Sequence, residues 1–355
     1  MHINDLLGIM LKEDASDLHI KAGNKPFIRV YGTMKNIEQV PQLTPEITEQ
    51  LILGTMTDEQ RGIFTEDWEH DFAYSLEDGT RFRVNAFHQR GSIAAVFRLI
   101  PARIQTIDEL RLPTIIKEFC KRPRGLLLVT GPTGCGKSTT QAAMIDLINS
   151  NRSEHIITIE DPIEFLHTNK KSLVNQREVG HDTESFYSAL RHALRQDPDV
   201  ILIGEMRDLE TIAMALTAAE TGHLVLATLH TTGAAQTVDR IIDVFPPEQQ
   251  PQIRMQVSTN IQGVISQILI PHISGKGRIA SFEIMVPTPA IRSLIRDAKT
   301  HQIPSVIHTS KGQGMITLEL SLAELIRKRQ ISKEMALAKT LYPEQLKEIL
   351  KSEKI

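Results

Sequence analysis

Residues 126–138 read LLLVTGPTGCGKS, a run of apolar residues ending in the loop GPTGCGKS at 131–138. Beyond it Ala142, Met144, Ile145 and Ile148 recur at helical spacing. The loop satisfies GxxxxGK[ST] in full, and it stands where that motif must stand, between a strand and a helix. Gly131, Gly134 and Gly136 let the backbone turn tightly enough to aim successive N–H groups at a phosphate. The helix that starts at the loop adds its positive end. Lys137 is placed to reach the β- and γ-phosphates, and the Ser138 hydroxyl to ligate Mg²⁺. Pro132, Thr133, Cys135 and Thr139 complete the stretch that wraps the nucleotide. The expected ligands are therefore ATP or ADP with Mg²⁺.

Outward from the loop, the strings HIITIE (155–160), VILIGE (200–205) and HLVLATLH (223–230) are nearly continuous apolar runs separated by amphipathic helices. That grammar predicts a parallel sheet covered on both faces. With the loop it defines an α/β fold, a RecA-like ATPase domain over 114–355 whose later part is helical. One antiparallel strand pair is expected there, at QILIP and RIASFEIMV. Residues 1–100 read as a separate small α/β module. Ile3, Leu6, Leu7, Met10 and Leu11 predict a first helix, with strand-like pieces at 18–21 and 27–31. Thr44-Pro45-Glu46 opens the first of two further helices. DFAYSL, RFRVNAFHQ and SIAAVFRLI then alternate as three antiparallel strands. The stretch 101–113, bounded by prolines, reads as a linker.

Composition excludes several classes. The 355 residues are 41% hydrophobic and carry a formal net charge of −3, which disfavours nucleic acid or an anionic bilayer as the main partner. Two cysteines, Cys120 and Cys135, with no CxxC, leave no zinc ribbon and no disulfide framework. No apolar run reaches a membrane span, and the amino terminus lacks a signal-peptide layout. A soluble intracellular chain, attached to membranes only through a partner, is expected.

Hydrolysis also needs carboxylates at the ends of strands beside the loop. Glu205 closes VILIG, where a Walker B acid belongs, although the general pattern has Asp where Gly204 stands. IEDPIEF (159–165) offers Glu160, Asp161 and Glu164. Glu164 is the preferred residue for orienting the attacking water, since Pro162 sends Glu160 and Glu164 in different directions. His230, followed by Thr231, Thr232 and Gly233, is a candidate γ-phosphate sensor, whereas His223 sits at the opposite end of its strand. Arg81, Arg83 and Arg98 are far in sequence from the loop. On spacing alone they read either as a solvated basic face or as arginines supplied across a subunit boundary.

These strings together resemble the secretion ATPases of type II secretion and type IV pili, essentially end to end. The resemblance rests on GPTGCGKST (131–139), IEDPIEF (159–165), DPDVILIGEMRD (197–208) and TGHLVLATLHTTGAA (221–235). Gly204-Glu205 is how that family writes its second acidic motif. The resemblance implies a homohexamer with ATP between subunits, and a PAS-like amino-terminal module whose Arg81, Arg83 and Arg98 reach the neighbouring site. It implies Glu164 as the water-polarising group, Glu205 linked to Mg²⁺, and His223 and His230 coupling nucleotide state to movement. Among these proteins the chain resembles the pilus retraction ATPases. AIRSLIRDAKTHQI (290–303) is similar to their AIRNLIRE segment, and the tetracysteine insertion of extension and type II secretion ATPases is absent. The implied function is ATP-driven pilin disassembly for twitching motility, through an inner-membrane platform protein. The chain would then be cytoplasmic and peripheral at that membrane. An extension or secretion ATPase of the same fold is the alternative. A nucleic-acid motor is the alternative of another class, disfavoured because only Lys121, Arg122 and Arg124 cluster, with one Trp and four Tyr.

Overall fold

A computed structural model of the chain describes residues 1–100, 103–275 and 277–352. Its internal contacts divide it into two compact units, Met1–Arg103 and Ile104–Ile355. Of the expected linker, residues 101 and 102 lie outside the described residues. Ile107 and Leu112 are buried in a core with Ile116, Phe119, Val129 and Met144, so that stretch packs as part of the second unit.

The first unit is one antiparallel sheet with helices on one face. Its strands are β1 (Asp17–Lys21), β2 (Phe27–Val30), β3 (Thr33–Asn36), β4 (Glu69–Ser75), β5 (Arg81–Gln89) and β6 (Ser92–Ile100), in the order β3-β2-β1-β6-β5-β4. Alternation decides which side each residue takes. Phe82, Val84 and Ala86 of β5 and Phe97 of β6 are buried in a core with Leu6, Leu7 and Met10 of helix Ile3–Lys12. Arg81 and Arg83 take the other face. β3 escapes sequence reading because TMKN is an exposed edge strand with no apolar alternation.

Across that outer face runs a row of opposed residues: Arg29 pairs with Asp17, Asp17 with Arg98, and Arg98 with Arg83. Asp17 is the buried member, 3% exposed, and Arg98 Nε lies 2.8 Å from its Oδ1. Burial opposes its ionisation, but hydrogen bonds from Ser16 and Arg98 and the positive charge of Arg98 outweigh it and hold the carboxyl below its ordinary value. A lowered folded-state pKa stabilises above the unfolded value of about 3.9, and the contribution is lost as pH falls through the folded value. Asp17→Asn should therefore destabilise this unit by about 1–3 kcal/mol at neutral pH, with the gap closing below about pH 4. Trp68, the single tryptophan, lies in this unit and gives a local unfolding signal. An unchanged Trp68 transition at pH 7 would contradict the prediction.

The second unit holds a seven-stranded sheet. Its strands are β7 (Gly125–Thr130), β8 (His155–Glu160), β9 (Leu173–Glu178), β10 (Val200–Ile203), β11 (Leu224–Leu229), β12 (Ile261–Pro271) and β13 (Arg278–Met285). The order is β13-β12-β7-β11-β10-β8-β9, parallel throughout except between β12 and β13. Every residue of β7, β10 and β11 is buried, as expected of central strands covered on both faces. β9 is an edge strand, LVNQRE, too polar to read as a strand from the sequence. The anticipated antiparallel pair exists as β12 and β13, but β12 is longer and also lies parallel beside β7. Gly263 of β12 leaves room for a core side chain, because a Cβ there would stand 2.6 Å from Phe119 Cζ.

Helices follow the sheet: Pro289–Arg296, Ile303–Thr309, Leu318–Arg327, Lys333–Lys339 and Pro343–Ser352. The first of them overlaps the segment 290–303 and buries Ile291 and Ile295. Arg292 donates to the carbonyls of Ser258, Thr259 and Ile261, tying this helix to the end of helix Gln250–Asn260.

Candidate active site

β7 delivers the chain into the loop, and helix Lys137–Asn151 carries it away. Gly131, Gly134 and Gly136 have φ of 140°, 75° and 87°, a region that side-chain-bearing residues avoid. Lys137 Nζ donates to the carbonyls of Gly131 at 2.9 Å and Pro132 at 3.3 Å, so its ammonium spans the loop. Pro132, Thr133 and Gly134 are exposed, whereas Cys135 is buried beneath. A Cβ on Gly131 would stand 2.7 Å from Cys135 Sγ. Burial pushes the Cys135 thiol up, which makes it a packing residue and leaves its backbone as its contribution to the loop. Ser138 opens the helix next to Lys137, and Thr139 follows it.

The carboxylates stand on the same edge of the sheet. β11 lies between β7 and β10, so Glu205, two residues past the end of β10, is two strand spacings from the loop, about 10 Å. Glu205 Oε2 is 3.4 Å from His230 Nε2, and its Oε1 is 2.5 Å from Arg207. His230 thus occupies the ligand end of β11, where the sequence put it. Gly204 has a steric reason: its N–H donates to the Ile159 carbonyl at 2.8 Å. A Cβ there would lie 3.3 Å from both that oxygen and Glu160 Cα. Gly204→Ala should cost about 1–3 kcal/mol of stability through this overpacking. Urea unfolding at the parental midpoint would contradict it.

IEDPIEF gives its two glutamates different surroundings. Glu160 Oε1 accepts from Thr158 Oγ1 at 2.7 Å and Gln176 Nε2 at 3.2 Å. The Glu164 backbone N–H also bonds to the Glu160 carboxyl. Burial pushes Glu160 up from its ordinary value, against the pull of these donors. Glu178 Oε2 accepts the Ile163 N–H at 3.1 Å, so the turn through the cis Asp161–Pro162 peptide is held from two sides. Glu160 is thereby a buried organiser of the turn, and Glu164 is left exposed. Asp161 is exposed as well.

His223 does not join this edge. Its carbonyl accepts the Gly125 N–H at the beginning of β7, and its ring Nδ1 contacts the Ala218 carbonyl at 2.9 Å. A six-residue strand separates it from His230, about 20 Å. It therefore does not bind the nucleotide held by its own chain's loop. Arg81, Arg83 and Arg98 come together on the outer face of the first unit, where Arg83 Nε is 3.5 Å from Asp71 Oδ1.

Two further residues carry no signal in the sequence. Thr228 Oγ1 donates to the Gly204 carbonyl and ties β11 to the acid-bearing turn. Gln267 of β12 reaches the phosphate loop from outside the motif. A loop of positive-φ glycines, a lysine, a helix-opening hydroxyl and a carboxylate across one strand fit a nucleotide phosphate, and Ser138 and Glu205 are the residues that would hold a Mg²⁺ beside it.

This fold and site define a phosphate-loop nucleotide-binding protein built on a parallel sheet. Residues 1–324 match the family described as type II/IV secretion system protein, and the chain belongs to that family. It is 53% identical over 344 residues to the type IV pilus retraction ATPase PilT of Pseudomonas aeruginosa, spanning 97% of this chain and 99% of that protein. It is 52% identical over 311 residues to a twitching motility protein of Neisseria gonorrhoeae, covering 88% of this chain and 83% of that one. Among solved structures it is similar to the pilus retraction motor PilT with bound ADP. The TM-score is 0.92 at 47% identity, over 98% of this chain and 99% of that one.

Proposed function

We propose that the chain is an ATP-hydrolysing motor of type IV pilus retraction. The observation that carries hydrolysis is the division of labour at the sheet edge. The loop and Lys137 are shaped for phosphates, Glu205 stands across β11 with His230 at the end of that strand, and Glu160 is engaged so that Glu164 faces solvent. Retraction is supported by likeness over almost the whole length to a relative named for it.

In this reading the loop amides and Lys137 hold the β- and γ-phosphates, and Glu164 orients the attacking water. Ser138 and Glu205 would hold a Mg²⁺, which would supply positive charge at the phosphate oxygens. The unit Met1–Arg103, read as PAS-like, offers Arg81, Arg83 and Arg98 to the site of a neighbouring subunit in a homohexamer. Asp17 and Asp71 hold two of these arginines in place. His223 and His230, at opposite ends of β11, relay nucleotide state along that strand. The motor works in the cytoplasm at the inner membrane, against a platform protein of the pilus machinery.

Two experiments address this. Mixing inactive Arg83→Ala with inactive Lys137→Ala protein should partly restore ATPase activity, because some interfaces then pair an intact arginine with an intact loop. No recovery at any ratio counts against the shared site. Deleting the gene should leave cells with abundant surface pili and no surface motility. Bald cells would instead mean extension.

A further inference from the structure

β12 places a polar side chain in the core beside the phosphate loop, one that the hydrolytic chemistry does not require. Gln267 is 2% exposed and directly follows Ser266, which pairs with Thr130 at the end of β7. Its Nε2 donates to the Cys135 carbonyl at 2.6 Å, and its Oε1 accepts from Thr140 Oγ1 at 2.8 Å. A carbonyl can only accept, so the amide end facing Cys135 is the NH₂. The Thr140 hydroxyl must then donate to the other end, which fixes the amide's orientation.

The Cys135 carbonyl and the Gly136 N–H belong to one planar trans peptide and point in opposite directions. Holding the carbonyl toward Gln267 therefore holds the N–H away from it, as a phosphate cradle requires. Gly136, with φ of 87° and no Cβ, gives that peptide little resistance of its own to reversal. A reversed peptide would set a carbonyl oxygen where the phosphate needs a donor. The loop is also built for the contact. A Cβ on Gly131 would stand 2.2 Å from the Gln267 carbonyl oxygen, and one on Gly136 3.3 Å from Gln267 Nε2.

We propose that Gln267 is a positioning residue for nucleotide binding: anchored by Thr140, it pins the Cys135–Gly136 peptide with the Gly136 N–H turned to the phosphates. The inference rests on the loop being the phosphate site, and it adds a residue from a strand outside the motif.

Titration of the full chain with N-methylanthraniloyl-ADP tests it. Gln267→Glu keeps the shape but sets a carboxylate oxygen against the Cys135 carbonyl, and should weaken ADP binding about tenfold or more. Thr140→Val removes only the anchoring hydroxyl and should weaken it roughly three- to tenfold, while Thr140→Ser should bind like the parent. Thermal unfolding without nucleotide separates positioning from general damage, because the loss should persist in variants that unfold with the parent. If Gln267→Glu fails to fold, the valine and serine variants at 140 decide. Parental affinity in folded Gln267→Glu or, failing that, in Thr140→Val overturns the proposal. A folded parent that does not bind the probe overturns the phosphate-site reading, and the brace with it.

Discussion

Replacing Lys137 with alanine should leave a folded chain whose ATP turnover is at least about a hundred- to a thousandfold lower. Its Nζ bonds to the Gly131 and Pro132 carbonyls, and the side chain is half-buried, so its loss opens no core cavity. What disappears is the cation that the loop's own sequence carries, beside backbone donors that are neutral amides. The charge that accumulates on the γ-phosphate during transfer is then met by fewer fixed partners. Phosphate release and N-methylanthraniloyl-ADP titration, beside a circular dichroism spectrum, check this. Parental turnover in a correctly folded variant would refute the site.

The second large effect separates binding from chemistry. Glu164→Gln should bind ATP as the parent does and hydrolyse it about 10²- to 10⁴-fold more slowly, because an amide cannot take the proton of the attacking water. Glu164 is exposed, so the change should leave stability intact. Glu160→Gln should behave differently. Glu160 receives bonds from Thr158, Gln176 and the Glu164 backbone, and an amide offers one acceptor oxygen where the carboxylate offers two. Lower stability is its expected signature. Normal hydrolysis by Glu164→Gln, with a folded but dead Glu160→Gln, would move the base to Glu160.

Much of this site is legible in the sequence because its parts are local. The phosphate loop is eight consecutive residues whose strand and helix flanks are unambiguous, and Glu205 and His230 announce themselves by closing apolar runs. Gly204, a departure from the general pattern, acquires its reason only when β8 and β10 are laid side by side and a Cβ would be crowded to 3.3 Å from Glu160 Cα. Gln267 could not be found: it lies 132 residues from Cys135 in sequence, within an apolar string that reads simply as strand. The edge strands β3 and β9 carry little apolar alternation, because one side of each has no neighbour to bury it. Asp17 ends the stretch DASD (14–17), which carries no sign of burial in the sequence. Only the register across β1 and β6 shows it buried between arginines. Glu160 and Glu164 are told apart by burial, which a string of seven residues does not carry.

The central claim is that hydrolysis at this site powers retraction, and one measurement meets it directly. The chromosomal gene would be replaced by one encoding Glu164→Gln, the protein level confirmed, and surface pili counted alongside surface motility. The account predicts cells crowded with pili that do not move across a surface. Bald cells, or motility at the parental level, would contradict it.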